Sequence, residues 1–280
     1  MPSSMILSDP EDFSEDGEQR LNRRIAEEAL GLRFDEIRQS GSAANVVGMQ
    51  SEHILFSLRL DSRTYFVQDT RYGIDQEEGT FEGSDEEFLA ESRSIMERLD
   101  IPLSEVGEEL VLKEQTQVAE ADPYGRVVRM EDVREGKKFA RISRRLEGLS
   151  VWSSNLTLGL TKSRQIGFMQ LHWPEIPKLV VTEARKVAYR VERGWSAPVQ
   201  PGATVESVEA GIIHSPPISL VMDIYPAIRV IYKPLDETFG RKATLYLDRH
   251  GNNIPMPREF DDRAREEEPL PPRSEPREGS

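Results

Sequence analysis

The chain has 280 residues, of which 37% are hydrophobic and 31% charged, with a net charge of −14 and no cysteine. That length holds one large domain or two of roughly 100–150 residues. The acidic balance argues against nucleic acid or an anionic membrane surface as partner, and the missing cysteine excludes disulfides, thiolate metal sites and a cysteine nucleophile.

Residues 1–17 are acidic and rich in Ser and Pro, and are expected to form a disordered arm. In Glu18–Leu32, Leu21, Ile25, Ala29 and Leu32 repeat at helical spacing, which predicts an amphipathic helix ending near Gly31. Ile54, Phe56, Leu58 and Leu60 alternate with Leu55, Ser57 and Arg59, and Asp61-Ser62-Arg63 turns the chain into Thr64–Gln68, a β-hairpin pattern. Ser84 with Glu87 is a capping box for a second helix carrying Phe88, Leu89, Ser92, Ile95, Met96 and Leu99, which Pro102 stops. Leu156, Leu158 and Leu160 alternate next, and Thr161-Lys162-Ser163-Arg164 leads into Ile166, Phe168 and Gln170. Both hairpins carry Ser-Arg in the turn, a hint of a duplicated unit.

A third helix is predicted over Thr182–Arg193, with Ala184, Val187, Ala188 and Val191 on one stripe and Gly194 as its C-cap. Strands follow at Val205–Ile213, Ile218–Tyr225, Ala227–Tyr232 and Thr244–Asp248. Pro226 marks an edge or a bulge, because proline has no N–H for a central ladder. From Pro257 the chain alternates charge and proline and is expected to be a disordered tail. The expected fold class is α+β, antiparallel sheets with a few helices packed on one face, including a duplicated helix-plus-sheet unit. Its domains are an arm at 1–17, an α+β unit at 18–194, a mainly β unit at 195–256 and a tail at 257–280.

The chemistry-bearing motifs are few. The four histidines, His53, His172, His214 and His250, share no metal-binding spacing. His172 beside Glu175 reads either as a general base or as a rim histidine at a strand end, and the rim is preferred. Asp223 has apolar neighbours but shares its strand with a more apolar opposite face. No nucleophile elbow, P-loop or dinucleotide fingerprint is present. Asp248-Arg249-His250-Gly251-Asn252-Asn253 lacks the spaced acids of a calcium loop and reads as a hairpin turn. Gly159 and Gly167 sit within strands, where a bulge or a close approach explains a glycine. No metal and no cofactor is expected.

Trp152, Trp173 and Trp195 are the aromatic candidates for a binding groove, tryptophan being enriched in interface hot spots. For Trp152 and Trp173 core packing is the preferred reading. Trp195, in a linker-like stretch after Gly194, reads either as the best single candidate for an inter-domain or partner contact or as a tryptophan that pins its loop. Arg141, Arg144 and Arg145 offer a positive strip for a carboxylate-bearing partner, or else form a solvated strand face.

Phe139-Ala140-Arg141, Arg145-Leu146-Glu147-Gly148-Leu149-Ser150-Val151-Trp152, Leu156-Thr157-Leu158-Gly159-Leu160 and Ile166-Gly167-Phe168 together resemble PepSY and related propeptide-type domains. The resemblance covers Asp85–Arg193 and, in weaker form, the N-terminal third, rests on apolar alternation and two or three glycines, and finds no counterpart for Pro201–Asp248. It implies a module that inhibits or binds rather than catalyses, and it carries over no catalytic residue.

The expected function is therefore a non-enzymatic binding or regulatory protein acting on a protein or peptide partner, with self-association a further option. One rival is a structural subunit of a larger assembly. The other is an enzyme with a dispersed site at His172, Glu175 and Asp223. No run approaches the roughly 18–20 apolar residues of a membrane span. The N-terminal MPSSMILSDPEDFSEDG shows no secretory pattern, so membrane insertion is not expected and cytoplasmic is the default compartment.

Overall fold

The structure, a computed structural model, describes residues 24–32, 39–43, 46–59, 62–73, 77–117, 119–121, 124, 126–130, 134–214, 223–235 and 242–254. The predicted arm, the first part of the Glu18–Leu32 helix, the first part of the Ile218–Tyr225 strand and the tail from Pro257 lie outside these residues. The chain divides into two compact units, Met1–Pro177 with Pro217–Met222, and Lys178–Pro216 with Asp223–Ser280. The division falls ahead of the third predicted helix, where the sequence placed it near Gly194.

The first unit contains β1 (Gln39–Ala43), β2 (Val46–Gln50), β3 (Ile54–Arg59), β4 (Thr64–Asp69), α1 (Asp85–Arg98), β5 (Val106–Thr116), β6 (Ala119–Ala121), β7 (Val127–Met130), β8 (Arg134–Leu146), β9 (Leu149–Leu160) and β10 (Ile166–His172). Its main sheet runs β1-β2-β3-β4-β10-β9-β8-β5, each neighbour antiparallel. Strands β6 and β7 form a separate two-stranded ribbon. Alternation sends Phe56, Leu58, Tyr65, Val67, Leu156, Leu158, Leu160, Met169 and Leu171 into one core, where Phe88, Ile95 and Met96 of α1 join them.

α1 begins where the capping box said it would. The Ser84 hydroxyl accepts the Glu87 N–H at 3.1 Å, and the Glu87 carboxylate accepts the Ser84 N–H at 3.0 Å. Of the first predicted helix, the described part is a five-residue π-helical turn, Ile25–Ala29. Gly167 lies at the bulge between Ile166 and Phe168, and the Tyr72 ring lies against it and against Gly159. A methyl group on Gly167 would sit 2.3 Å from that ring, so both glycines are there for a close approach.

The second unit contains α2 (Lys178–Glu192), β11 (Ala203–His214), β12 (Ile224–Pro234) and β13 (Ala243–Leu247). The strands pair antiparallel in the order β11-β12-β13. Val187, Ile228, Val230, Tyr232 and Leu247 form its core, with Val191 and Trp195 packed against them. Pro226 pairs with Ile212 on β11, while β13 begins its pairing only at Ile228, so the proline occupies a locally one-sided stretch. The Asp248–Asn253 turn closes a hairpin, with Asp248 N–H donating to the Asn252 carbonyl at 2.8 Å.

The α+β expectation is corrected. Among the described residues there are thirteen strands and two α-helices, and the fold is predominantly β. Long charged strands account for the difference. β5 (VGEELVLKEQT) and β8 (REGKKFARISRRL) carry charges that hide their alternation, yet they pair over most of their lengths. The duplicated unit is corrected too. The hairpins β3–β4 and β9–β10 are joined edge to edge by β4–β10 pairing within one sheet, so they are parts of a single layer.

Candidate functional site

Side chains alternate across β8, and this splits the expected arginine strip. Arg144 follows Ala140 and Ile142 to the buried side, while Arg141 is half-buried and Arg145 exposed on the other. The Arg145 Nε donates to the Gly148 carbonyl at 3.1 Å and thereby ties the β8–β9 turn. Arg144 is only 5% exposed. Its Nε and Nη2 lie 2.9 and 2.8 Å from Glu105 Oε2, and its Nη1 donates to the Pro174 carbonyl. Burial pulls its pKa down, and the charge and hydrogen bond of Glu105 oppose that pull.

Trp173 completes this node. It is 1% exposed, its Nε1 donates to Glu105 Oε2 at 3.0 Å, and the Arg144 guanidinium lies 5.1 Å from its ring centroid. Arg144 and Trp173 are therefore internal fastenings and present no surface to a partner. Trp152 is half-buried on β9.

His172 is buried, which corrects the rim placement. It faces Thr64 across the β4–β10 ladder, and its Nδ1 lies 2.5 Å from the Thr64 hydroxyl, itself 2.9 Å from the Ser62 hydroxyl. Glu175 is exposed beyond the end of that strand, and Asp223 is exposed in the second unit. Among the described residues no group of three or more His, Asp or Glu comes together in a metal-holding arrangement. No helix among them is long and apolar enough to cross a membrane.

Trp195 leads to a surface with a shape. The helix stripe Val181, Ala184 and Val187 is buried, which turns Thr182, Arg185, Lys186, Tyr189, Arg190 and Arg193 outward. α2 ends through Gly194, whose φ of 89° reverses the chain. The Trp195 N–H then donates to the Arg190 carbonyl at 3.2 Å, and Gly194 N–H to the Val191 carbonyl at 3.0 Å. The indole packs on the second unit's core, and Tyr232 fixes the following loop by donating its hydroxyl to the Pro198 carbonyl at 2.7 Å. The result is an open, shallow groove lined by those outward residues with Gly194 and Trp195.

The groove is cationic and its aromatics are held. The Arg193 guanidinium lies 5.4 Å from the Tyr189 ring centroid and donates to the Tyr189 hydroxyl at 3.0 Å. Tyr189 remains 57% exposed. The Lys186 ammonium is anchored on Glu183 at 2.7 Å, and that hydrogen bond leads the effects holding the Glu183 carboxyl below its usual range. Along the helix and its first following residue, Lys178, Arg185, Lys186, Arg190 and Arg193 oppose Glu183 and Glu192. Sequence reasoning found Trp195 and the buried stripe of this helix but passed over its other face. The available signal was cations at helical spacing around a tyrosine, ending at a tryptophan.

No family model matches the chain, and no curated protein matches it. Among solved structures, an uncharacterized protein from Eubacterium rectale is 13% identical, with 88% of this chain and 83% of that chain covered at a TM-score of 0.46.

Proposed function

We propose that the protein is a non-enzymatic binding protein, regulatory in the inhibitor-like sense that the PepSY resemblance implies, which holds a segment of a partner protein in the groove beside α2. The observation that carries this reading is the meeting of Tyr189 and Trp195 with four cations around one open cleft. Aromatic and arginine side chains are the residue types that concentrate binding energy at interfaces, and here their positions are fixed before any partner arrives. The Arg193–Tyr189 contact and the Trp195 anchorage on the core remove part of the ordering cost of association.

The test is to pan a random-peptide library against the immobilised full chain and to measure the recovered peptides against Tyr189→Ala and Arg190→Ala variants. Both residues are exposed on the helix, so the variants are expected to keep the wild-type melting temperature while binding the peptides more weakly. Peptides that bind both variants as tightly as the wild type would show that the groove is not the binding site.

A further inference from the structure

Resting on the groove reading above, we infer that the segment it takes is extended and acidic, with carboxylates at alternate positions. The first ground is charge. The chain as a whole carries −14, yet Arg185, Lys186, Arg190 and Arg193 converge on one cleft. Such a reversal of sign on an acidic body attracts an anionic segment to this place and repels it elsewhere.

The second ground is spacing. Lys186 and Arg190 are four residues apart on α2, an axial distance of about 6 Å at the helical rise. Alternate residues of an extended chain are separated by about 6.7 Å and point the same way. A strand-like segment laid along the helix thus brings every second side chain to a cation. Arg185 and Arg193, eight residues apart, flank Tyr189 on the same face. The residues between the carboxylates face away from the helix, which leaves the Tyr189 and Trp195 rings to the segment's backbone.

Anchoring differs among the cations, and this sets which contact is strongest. Lys186 already spends part of its charge on Glu183. Arg193 lies over the Tyr189 ring with its fork pre-oriented, so a bidentate carboxylate contact there costs less side-chain freedom. Arg190, in the last turn of α2, is held where the helix dipole favours a cation.

The experiment titrates the full-length protein with three synthetic peptides of equal length, following tryptophan fluorescence and calorimetry. They are an alternating Glu-Ala repeat, a block isomer of the same composition, and a Gln-Ala analogue. The alternating peptide is expected to bind, to weaken about tenfold as salt rises from about 0.05 M to about 0.5 M, and to bind at least about threefold tighter than the block isomer. Arg190→Ala and Arg193→Ala are each expected to lose about threefold, the scale of one solvent-exposed charge pair. Equal binding of the Gln-Ala analogue would overturn the acidic specificity while leaving the groove reading intact. Equal binding of the block isomer would overturn the extended, alternating register. If none of the three peptides binds and the library yields no binder, both the inference and the groove reading fail. Light scattering closes the remaining route. Pairs of chains that dissolve on Arg190→Glu would make a second copy the occupant and overturn the inference.

Discussion

Replacing Glu105 with alanine is expected to be among the most damaging single changes in the first unit. Glu105 Oε2 alone receives Arg144 Nε, Arg144 Nη2 and Trp173 Nε1, at 2.9, 2.8 and 3.0 Å. The Arg144 side chain is 4% exposed, so Glu105→Ala leaves a guanidinium charge in the interior with only the Pro174 carbonyl as a remaining acceptor in this node. Breaking a buried pair from one side costs about 3–5 kcal/mol. The orphaned indole N–H adds to that cost, though not additively. For a unit of this size each kcal/mol lowers the melting temperature by about 2–4 °C, so the expected drop is about 6–20 °C. Thermal and urea unfolding, read by tryptophan emission, measure it. The double variant Glu105→Leu/Arg144→Met removes both charges and is expected to recover most of the loss. The reasoning is refuted if Glu105→Ala unfolds within about 1 kcal/mol of the wild type, the cost of an ordinary surface substitution, or if the double variant is no more stable than the single one.

Further outcomes follow from local geometry. Gly167→Ala drives a methyl group into the Tyr72 ring and is expected to cost about 1–3 kcal/mol; in a Tyr72→Ala background the same change should cost much less, as a double-mutant cycle of urea midpoints will read. Ser84→Ala removes one half of the α1 capping box and is expected to cost about 1 kcal/mol in thermal stability. Asp248 offers a pH-dependent case. Burial pushes its carboxyl up, but hydrogen bonds from the Asn252 side chain and backbone and from the His250 backbone outweigh it and leave the pKa lowered. A lowered folded-state pKa gives stability that is present above the unfolded value and lost as pH falls through the folded one. Asp248→Asn should therefore destabilise the β13 hairpin at neutral pH, by at most about 1 kcal/mol because solvent screens the turn. The difference from wild type should vanish in acid. A difference that grows towards low pH would reverse the sign and refute the assignment.

The parts of the fold that could be read from sequence were those whose signal is local. The Ser84–Glu87 box, the hairpins at 54–68 and 156–170 and the Asp248 turn all depend on residues a few positions apart, and each is present, the second hairpin's first strand starting earlier, at Leu149. α2 was found by its Ala184–Val187 stripe, but it begins at Lys178 rather than Thr182. Leu179, Val180 and Val181 are apolar in succession, a run that periodicity assigns to a strand as readily as to a helix. β8 was legible as the strand face that carries Arg141, Arg144 and Arg145, but its extent and its pairing with β5 were hidden, because a strand with a charged outer face shows its alternation only on the buried side, in Ala140, Ile142 and Arg144. The arginine at that last inward position breaks the apolar pattern, and only its partner Glu105, 39 residues away, explains it.

The same limit explains the site. Arg185, Lys186, Arg190 and Arg193 are ordinary charges on a solvated helix face when read one position at a time. They become a cleft because Gly194 adopts a left-handed conformation, which brings Trp195 back onto the core beside Val191. A wall then stands next to the helix, beside the i, i+4 contact of Arg193 on Tyr189. The glycine and the tryptophan are both legible, but the reversal that joins them to the cationic stripe depends on the core that β12 and β13 supply through Val230, Tyr232 and Leu247. Tyr232 acts twice, filling that core with its ring and holding the Pro198 carbonyl with its hydroxyl. Tyr232→Phe keeps the ring but releases the loop after Trp195. If the groove is pre-formed as argued, that change should weaken binding of the alternating acidic peptide while the charges of the cleft stay as they are.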